Sequence, residues 1–180
     1  MTELTDSETT DVELAIVAYL DGDDWVVSEM NPEIGGVQEI AHELRRYPGE
    51  GAVLALVCVE EDFALVVRRH GEDVRLLLTD ATAAEDDPLA RSAVDHLGLP
   101  VEDDDEPMPA GDLTIVADLG MPAVELGELI DDDELYPDEL LSEIADALGF
   151  GEVFDELAGL DDDDGDEREG TGELADDDDA

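Results

Sequence analysis

The tripeptide His70-Gly71-Glu72 fits H-x-E, the first half of the zinc nucleobase-deaminase signature, in which a histidine holds the metal and a glutamate moves protons. The second half, P-C-x-x-C, must add two thiolates, and the chain has one cysteine, Cys58, upstream of that histidine. The coordination sphere cannot close within one chain, so the match is read as chance. His42 and His96, on a helix edge and near a helix end, have no second ligand at metal-motif spacing. Acidic runs at Asp131-Asp132-Asp133, Glu102 to Glu106 and Asp161 to Asp164 offer hard oxygen ligands for calcium or magnesium. No window, however, has the alternating ligands, sixth-position glycine and twelfth-position glutamate of an EF-hand loop, and the runs read as hydrated acidic loops. The chain has seven basic residues, all arginine. Without lysine there is no phosphate-binding Gly-Lys-Ser/Thr loop and no Schiff-base nucleophile, and neither G-x-S-x-G nor G-x-G-x-x-G occurs. These residues predict a protein that is not an enzyme and has no catalytic residue, no cofactor and no metal.

The elements that must carry these residues belong to a strongly acidic body. Fifty-five acids face the seven arginines, for a net charge of -48. Residues 161–180 hold 12 of the acids and the first ten residues hold three, so most of the charge lies on the segment between. Such a surface repels phosphate backbones and attracts basic proteins, which excludes direct nucleic-acid binding. Self-repulsion also opposes compaction unless salt screens it, within about 10 Å at 0.1 M. The hydrophobic fraction of 43% is that of a folding chain, with 180 residues enough for one core. A lone cysteine inside the apolar run 52–59 reads as a buried thiol in a reducing compartment. The N-terminal stretch has no positive region, and no apolar segment reaches the roughly 18 residues of a membrane span. The location expected is cytoplasmic, with no membrane partner.

Apolar and β-branched residues from Val12 to Leu20, a turn at Asp21-Gly22 and Trp25-Val26-Val27 predict a hairpin. Val37, Ile40, Ala41 and Leu44 recur at helical spacing, with Arg45 and Arg46 in the last turn and Pro48 as the stop. Three strands follow, 52–60, 63–69 and 74–78. A two-residue turn at His70-Gly71 would set Arg69 opposite Glu72 and Arg68 opposite Asp73, so the double arginine reads as a register device. Asp87-Pro88 opens a helix through Leu89, Ala93 and Leu97 to Gly98. An acidic connector over 101–111 leads to a short strand at 113–117. Helices opened by Pro122 and Pro137 follow, the second ending at Gly149, and Phe150, Val153, Phe154 and Leu157 form a closing helix. The fold class is α+β: an antiparallel sheet of about five strands with one inserted helix, followed by a helical C-terminal half. Residues 1–11 and the acidic tail 161–180 are expected to be disordered and 12–160 to be one domain, with 102–110 as the place where it would divide.

The segments EDFALVVRRHGEDVRLLLTDATAA, DPLARSAVDHLGLP, PAGDLTIVADLG and MPAVELGELIDDDELYPDELLSEIADALGFGEVFDEL resemble the actinobacterial tRNA adenosine deaminase-associated proteins. The likeness runs from about Val12 to Leu157. It implies association with the enzyme that converts the wobble adenosine of tRNA to inosine, and it assigns no reaction to this chain. The expectation is an accessory that binds a tRNA adenosine deaminase or another basic protein, with Tyr136, Phe150 and Phe154 as candidate apolar anchors. For both phenylalanines core packing is the competing role. Two further readings remain open from residues alone: an acidic nucleic-acid mimic that inhibits a nucleic-acid-binding protein, and a partnerless domain made acidic for high salt.

Overall fold

The computed structural model describes residues 12–31, 33–47, 52–99, 108–132 and 134–160. The expectations for 1–11, Pro48 and 161–180, and for most of the acidic connector, lie outside them. Strands β1 (Leu14–Asp21) and β2 (Asp24–Glu29) form the first hairpin, and α1 (Val37–Leu44) follows. Strands β3 (Val53–Val59), β4 (Phe63–His70) and β5 (Asp73–Leu78) come next, then a 3-10 turn (Ala81–Glu85) and α2 (Pro88–His96). A two-residue strand β6 (Ala110–Gly111) and a second 3-10 turn (Ala117–Leu119) precede α3 (Ala123–Asp131), α4 (Pro137–Leu148) and α5 (Gly151–Ala158).

All neighbouring strands are antiparallel, in the order β2-β1-β3-β4-β5-β6. The segment bearing α1 carries the chain from the edge strand β2 over β1 to β3. Strand β3, VLALVCV, shows no polar alternation and is buried at every position. A strand of that composition needs both faces of its sheet covered. One face is covered by α1, the first 3-10 turn and α2, through Ile40, Leu44, Leu89 and Ala93 against Val53, Ala55, Leu65 and Val67. The other is covered by 115–121 and α3 to α5, through Ile115, Leu126, Ile144 and Phe154 against Leu54, Leu56, Ala64 and Val66. Residues two apart on one strand thus belong to one core, and their neighbours to the other.

Helix starts follow their sequence signals. Asp87 accepts the N–H groups of Leu89 at 2.8 Å and Ala90 at 3.1 Å, with Pro88 at the first helical position. Glu139 reaches back to the Tyr136 N–H at 3.1 Å ahead of α4, and Gly149 ends that helix in the left-handed region at φ 114°.

Two expectations are corrected. The β4–β5 turn is Gly71-Glu72, not His70-Gly71: His70 pairs with Asp73, Arg69 with Val74 and Arg68 with Arg75. The cross-strand ion pairs foreseen for the double arginine do not form. A two-residue turn with glycine first suits the twist of a hairpin, and Gly71 sits there at φ 65°, as Gly22 does at φ 71° in the β1–β2 turn. Residues 113–117 are not a strand, and the sixth strand lies earlier, at 110–111. Asp112 explains the shift. Its side chain accepts the Thr114 N–H at 2.9 Å and the Thr114 hydroxyl, and the Ile115 N–H bonds to its carbonyl at 3.1 Å. An aspartate that bonds the backbone two residues on competes with a sheet ladder and starts a turn.

Candidate interaction surface

The side chains able to do chemistry are either buried or scattered. Cys58 faces the core of α3 to α5, fully buried, and its Sγ donates to the Glu60 carbonyl at 3.3 Å. Burial, with the negative charges of Asp138 and Glu13 adding to it, pushes this thiol up to about 12, so the thiolate needed for reaction does not form near neutrality. His42, His70 and His96 are exposed on separate elements, and among the described residues no three metal-ligating groups converge. A depression of about 590 Å³ beside β5 is lined by Arg75, Asp112 and His96, but the Arg75 guanidinium is paired with Asp112 at 2.9 Å. No nucleophile stands there to be activated.

Most of the described arginines are spent on carbonyls and single carboxylates. Arg69 donates to Leu44 O at 3.2 Å and Tyr47 O at 3.1 Å, at the C-terminal end of α1, and Arg91 to Ala84 O at 3.1 Å and Glu85 O at 2.7 Å. Arg68, one residue along β4, points to the opposite face. It is 4% exposed and grips Asp118 through both terminal nitrogens, at 2.7 and 3.0 Å, while also donating to Ile115 O at 2.8 Å. Its fork matches a carboxylate in two parallel bonds, a geometry lysine cannot supply. The Arg68 hydrogen bond holds the Asp118 carboxyl below its ordinary value despite partial desolvation. Asp112 is likewise lowered, chiefly by the Thr114 hydroxyl and secondarily by Arg75.

What remains on the outside differs between the two faces. The sequence has no arginine or lysine between Arg91 and Arg168, so α3 to α5 carry carboxylates without a cation of their own. Helix α3 has an apolar composition, AVELGELID, yet only Leu126 among its residues is buried. Val124 is 73% exposed, and Leu129 and Ile130 are half-covered. A groove of about 380 Å³ runs between α3 and α4, with Met121 and Leu129 among its lining and Glu125, Glu128, Glu143 and Asp146 around it. On the other flank of α3 a hollow of about 310 Å³ meets Ile130, Asp131, Glu61 and Asp80. An apolar helix bordered on both sides by carboxylates suits a partner that brings apolar and basic groups together.

Of the expected anchors, Tyr136 precedes α4 and is 55% exposed. Phe154 is fully buried, and Phe150 is buried with its ring 4.8 Å from that of Trp25, whose Nε1 donates to Leu148 O at 2.9 Å. Both phenylalanine side chains therefore pack the core and present nothing outward. Sequence reasoning passed over Asp118, Val124 and the exposure of α3. The arginine-free stretch from 92 to 167 was the signal that could have directed attention to that layer.

Comparisons with known proteins agree in one direction. A family model described as Rv3753c-like tRNA adenosine deaminase-associated protein matches residues 13–151. Protein Rv3753c of Mycobacterium tuberculosis (strain ATCC 25618 / H37Rv) is 36% identical over 133 residues, which cover 71% of this chain and 77% of that protein. No solved structure matches the chain significantly.

Proposed function

We propose, because the chain belongs to the Rv3753c-like tRNA adenosine deaminase-associated protein family, that it is a non-catalytic accessory that binds a basic surface of a tRNA adenosine deaminase. The observation that carries this reading is the distribution of charge: a whole helical layer without a cation, on a chain of net charge -48. That layer cannot hold tRNA directly, since phosphate contacts need cations to displace the counterions. Opposite charge on a protein partner would speed encounter and suppress wrong pairings, while apolar contact would supply the lifetime of the complex. The one thiol is buried and bonded to a carbonyl, and the three histidines stand apart on separate elements, which supports an accessory role with the reaction performed by a separate chain. Among the described residues no helix is long and apolar enough to cross a bilayer.

Affinity purification of the tagged full-length protein from its own cells at about 0.1 M salt, where screening acts only beyond roughly 10 Å, tests the reading. The deaminase should be recovered at that salt and lost as salt is raised. A preparation that never retains the deaminase removes the proposal. Free tRNA retained by the purified protein alone would contradict its electrostatic basis.

A further inference from the structure

We infer that the outward face of α3 is the docking element, and that its occupant is an amphipathic helix of the partner protein with an apolar stripe flanked by arginine or lysine. This deepens the accessory reading and rests on it for the identity of the partner. Val124, Gly127, Glu128 and Asp131 recur at i, i+3, i+4 and i+7 and so share one face of the helix. Glu125 and Leu129 form its shoulder toward α4.

Two independent features mark this face. Val124 is the most exposed of the large hydrophobic side chains among the described residues. Gly127 stands in the middle of the helix, where glycine is the least favourable residue after proline, and an added Cβ there would meet nothing within 4 Å. The chain's own packing therefore gives no reason for a glycine. A notch beside an exposed valine has a use when a second backbone approaches closely, the role glycine plays where another chain must come near. Helix-on-helix docking places two such backbones 8–10 Å apart.

The charge of the face selects among occupants. Glu125, Glu128 and Asp131 on α3, with Glu143 and Asp146 across the groove, find no arginine within their own layer. A second copy of this chain would bring a like-charged surface, because its exposed layer is the same set of carboxylates. Its arginines at 68, 69, 75 and 91 are committed to bonds inside the fold, and the other two described, Arg45 and Arg46, are exposed and adjacent at the end of α1 with no apolar stripe between them. A basic amphipathic helix satisfies both the apolar stripe and the carboxylates beside it, in the helix-in-groove mode of recognition.

The test uses the full-length protein and two synthetic peptides of one composition, leucine and arginine. In one the leucines fall at i, i+3, i+4 and i+7, and in the other the order is scrambled. The ordered peptide should bind about tenfold more tightly, the scale on which removing a central contact acts. Amide shifts on binding should gather on α3 and the facing side of α4. Val124→Asp, at an exposed position, and Gly127→Gln, where an added Cβ meets nothing within 4 Å, should each weaken the ordered peptide about tenfold, whereas Asp95→Arg on α2 should change it less than about twofold. Equal binding of the two peptides, or shifts spread over the whole acidic surface, overturns the assignment. So does binding that is indifferent to the α3 variants. Binding of purified deaminase is measured on the same variants. Loss of deaminase binding in wild type overturns the accessory reading while leaving the peptide result standing. Full deaminase binding by both α3 variants overturns the docking face and leaves the accessory reading intact.

Discussion

The two faces of the sheet hold their helices by different means. Against one face, Arg69 and Arg91 tie down the last carbonyls of α1 and of the 3-10 turn, so guanidinium forks close the elements and contribute charge where carbonyl oxygens accumulate. Against the other, helix ends are closed by Gly149 and Gly159, α4 and α5 are joined by Ser142 Oγ donating to Asp155 at 2.6 Å, and the one buried cation is Arg68, sent across from the sheet. With so few cations, the chain places Arg68, Arg69 and Arg91 where carbonyl oxygens would otherwise go unpaired. The α3 to α5 layer is left anionic outside and apolar inside. A patch that attracts basic partners follows from that allocation without any dedicated motif.

The comparison is broken most severely by removing a large side chain from either core. Phe63 and Phe154 are each buried, one on each face, and Phe63→Ala or Phe154→Ala should cost about 3–5 kcal/mol. Both cores share β3 and β4, so denaturant unfolding of either variant should remain one transition by far- and near-ultraviolet circular dichroism. Two steps in the Phe154 variant would show that the C-terminal layer is a separate unit.

Next in size is Arg68→Met. It removes a guanidinium held by two acceptors from within a core, and a loss of about 2–3 kcal/mol is expected, below the range for a fully buried pair because Asp118 is 63% exposed and remains hydrated. Arg69→Met, whose partners are two carbonyls near the surface, should cost about 1 kcal/mol. Equal losses measured by urea unfolding would erase the distinction drawn between the faces.

The acid limb of stability separates local pairing from bulk charge. Asp118 and Asp112 have folded-state values below the ordinary aspartate value of 3.8. Their contribution is therefore complete above that value and is lost as pH falls below it through the folded values. Discharge of the other carboxylates acts in the opposite sense by relieving repulsion. Stability should rise as pH is lowered through the range of about 5 to 4, where the bulk carboxylates discharge, and turn down only below 3.8, where Asp112 and Asp118 take up protons. In Asp118→Asn the fall should be shallower. A monotonic loss of stability from pH 7 downward would contradict the part assigned to self-repulsion.

The smallest expected effect concerns the exposed charge of the acidic layer. Glu143→Lys on α4 should stabilise by about 0.3–0.5 kcal/mol at low salt and by little at 1 M, while the wild-type unfolding midpoint rises with salt. A midpoint insensitive to salt would show that repulsion in this layer carries no weight.

Much of the architecture was legible in the residues because it depends on local signals. The unalternating run of β3, the aspartate and prolines that open α2 and α4, and the glycine that closes α4 act over a few residues each. The β4–β5 register was misplaced by one turn residue, since His70-Gly71 and Gly71-Glu72 are equally short and only the positive φ of Gly71 at the first turn position decides between them. The strand expected at 113–117 had the right composition, but a side-chain bond from Asp112 to Thr114 overrode it. Of the residues expected to face a partner, Tyr136 is exposed and Phe150 and Phe154 are buried, and the exposure of α3 was not legible. An apolar helix reads the same whether it is buried or bare, and its exposure is set by how far α4 and α5 extend over the sheet.

By itself the sequence determined the sign and size of the charge, the lack of lysine, the single thiol, and the order of strands and helices, because each is a property of composition or of near neighbours. Only the tertiary structure decided that Arg68 and Arg69, adjacent in the chain, serve opposite cores, that Phe150 and Phe154 turn inward, and that α3 stands uncovered. The alternation of a strand sends neighbouring side chains to opposite faces, and what each then meets is chosen by elements dozens of residues away, beyond the reach of any local pattern.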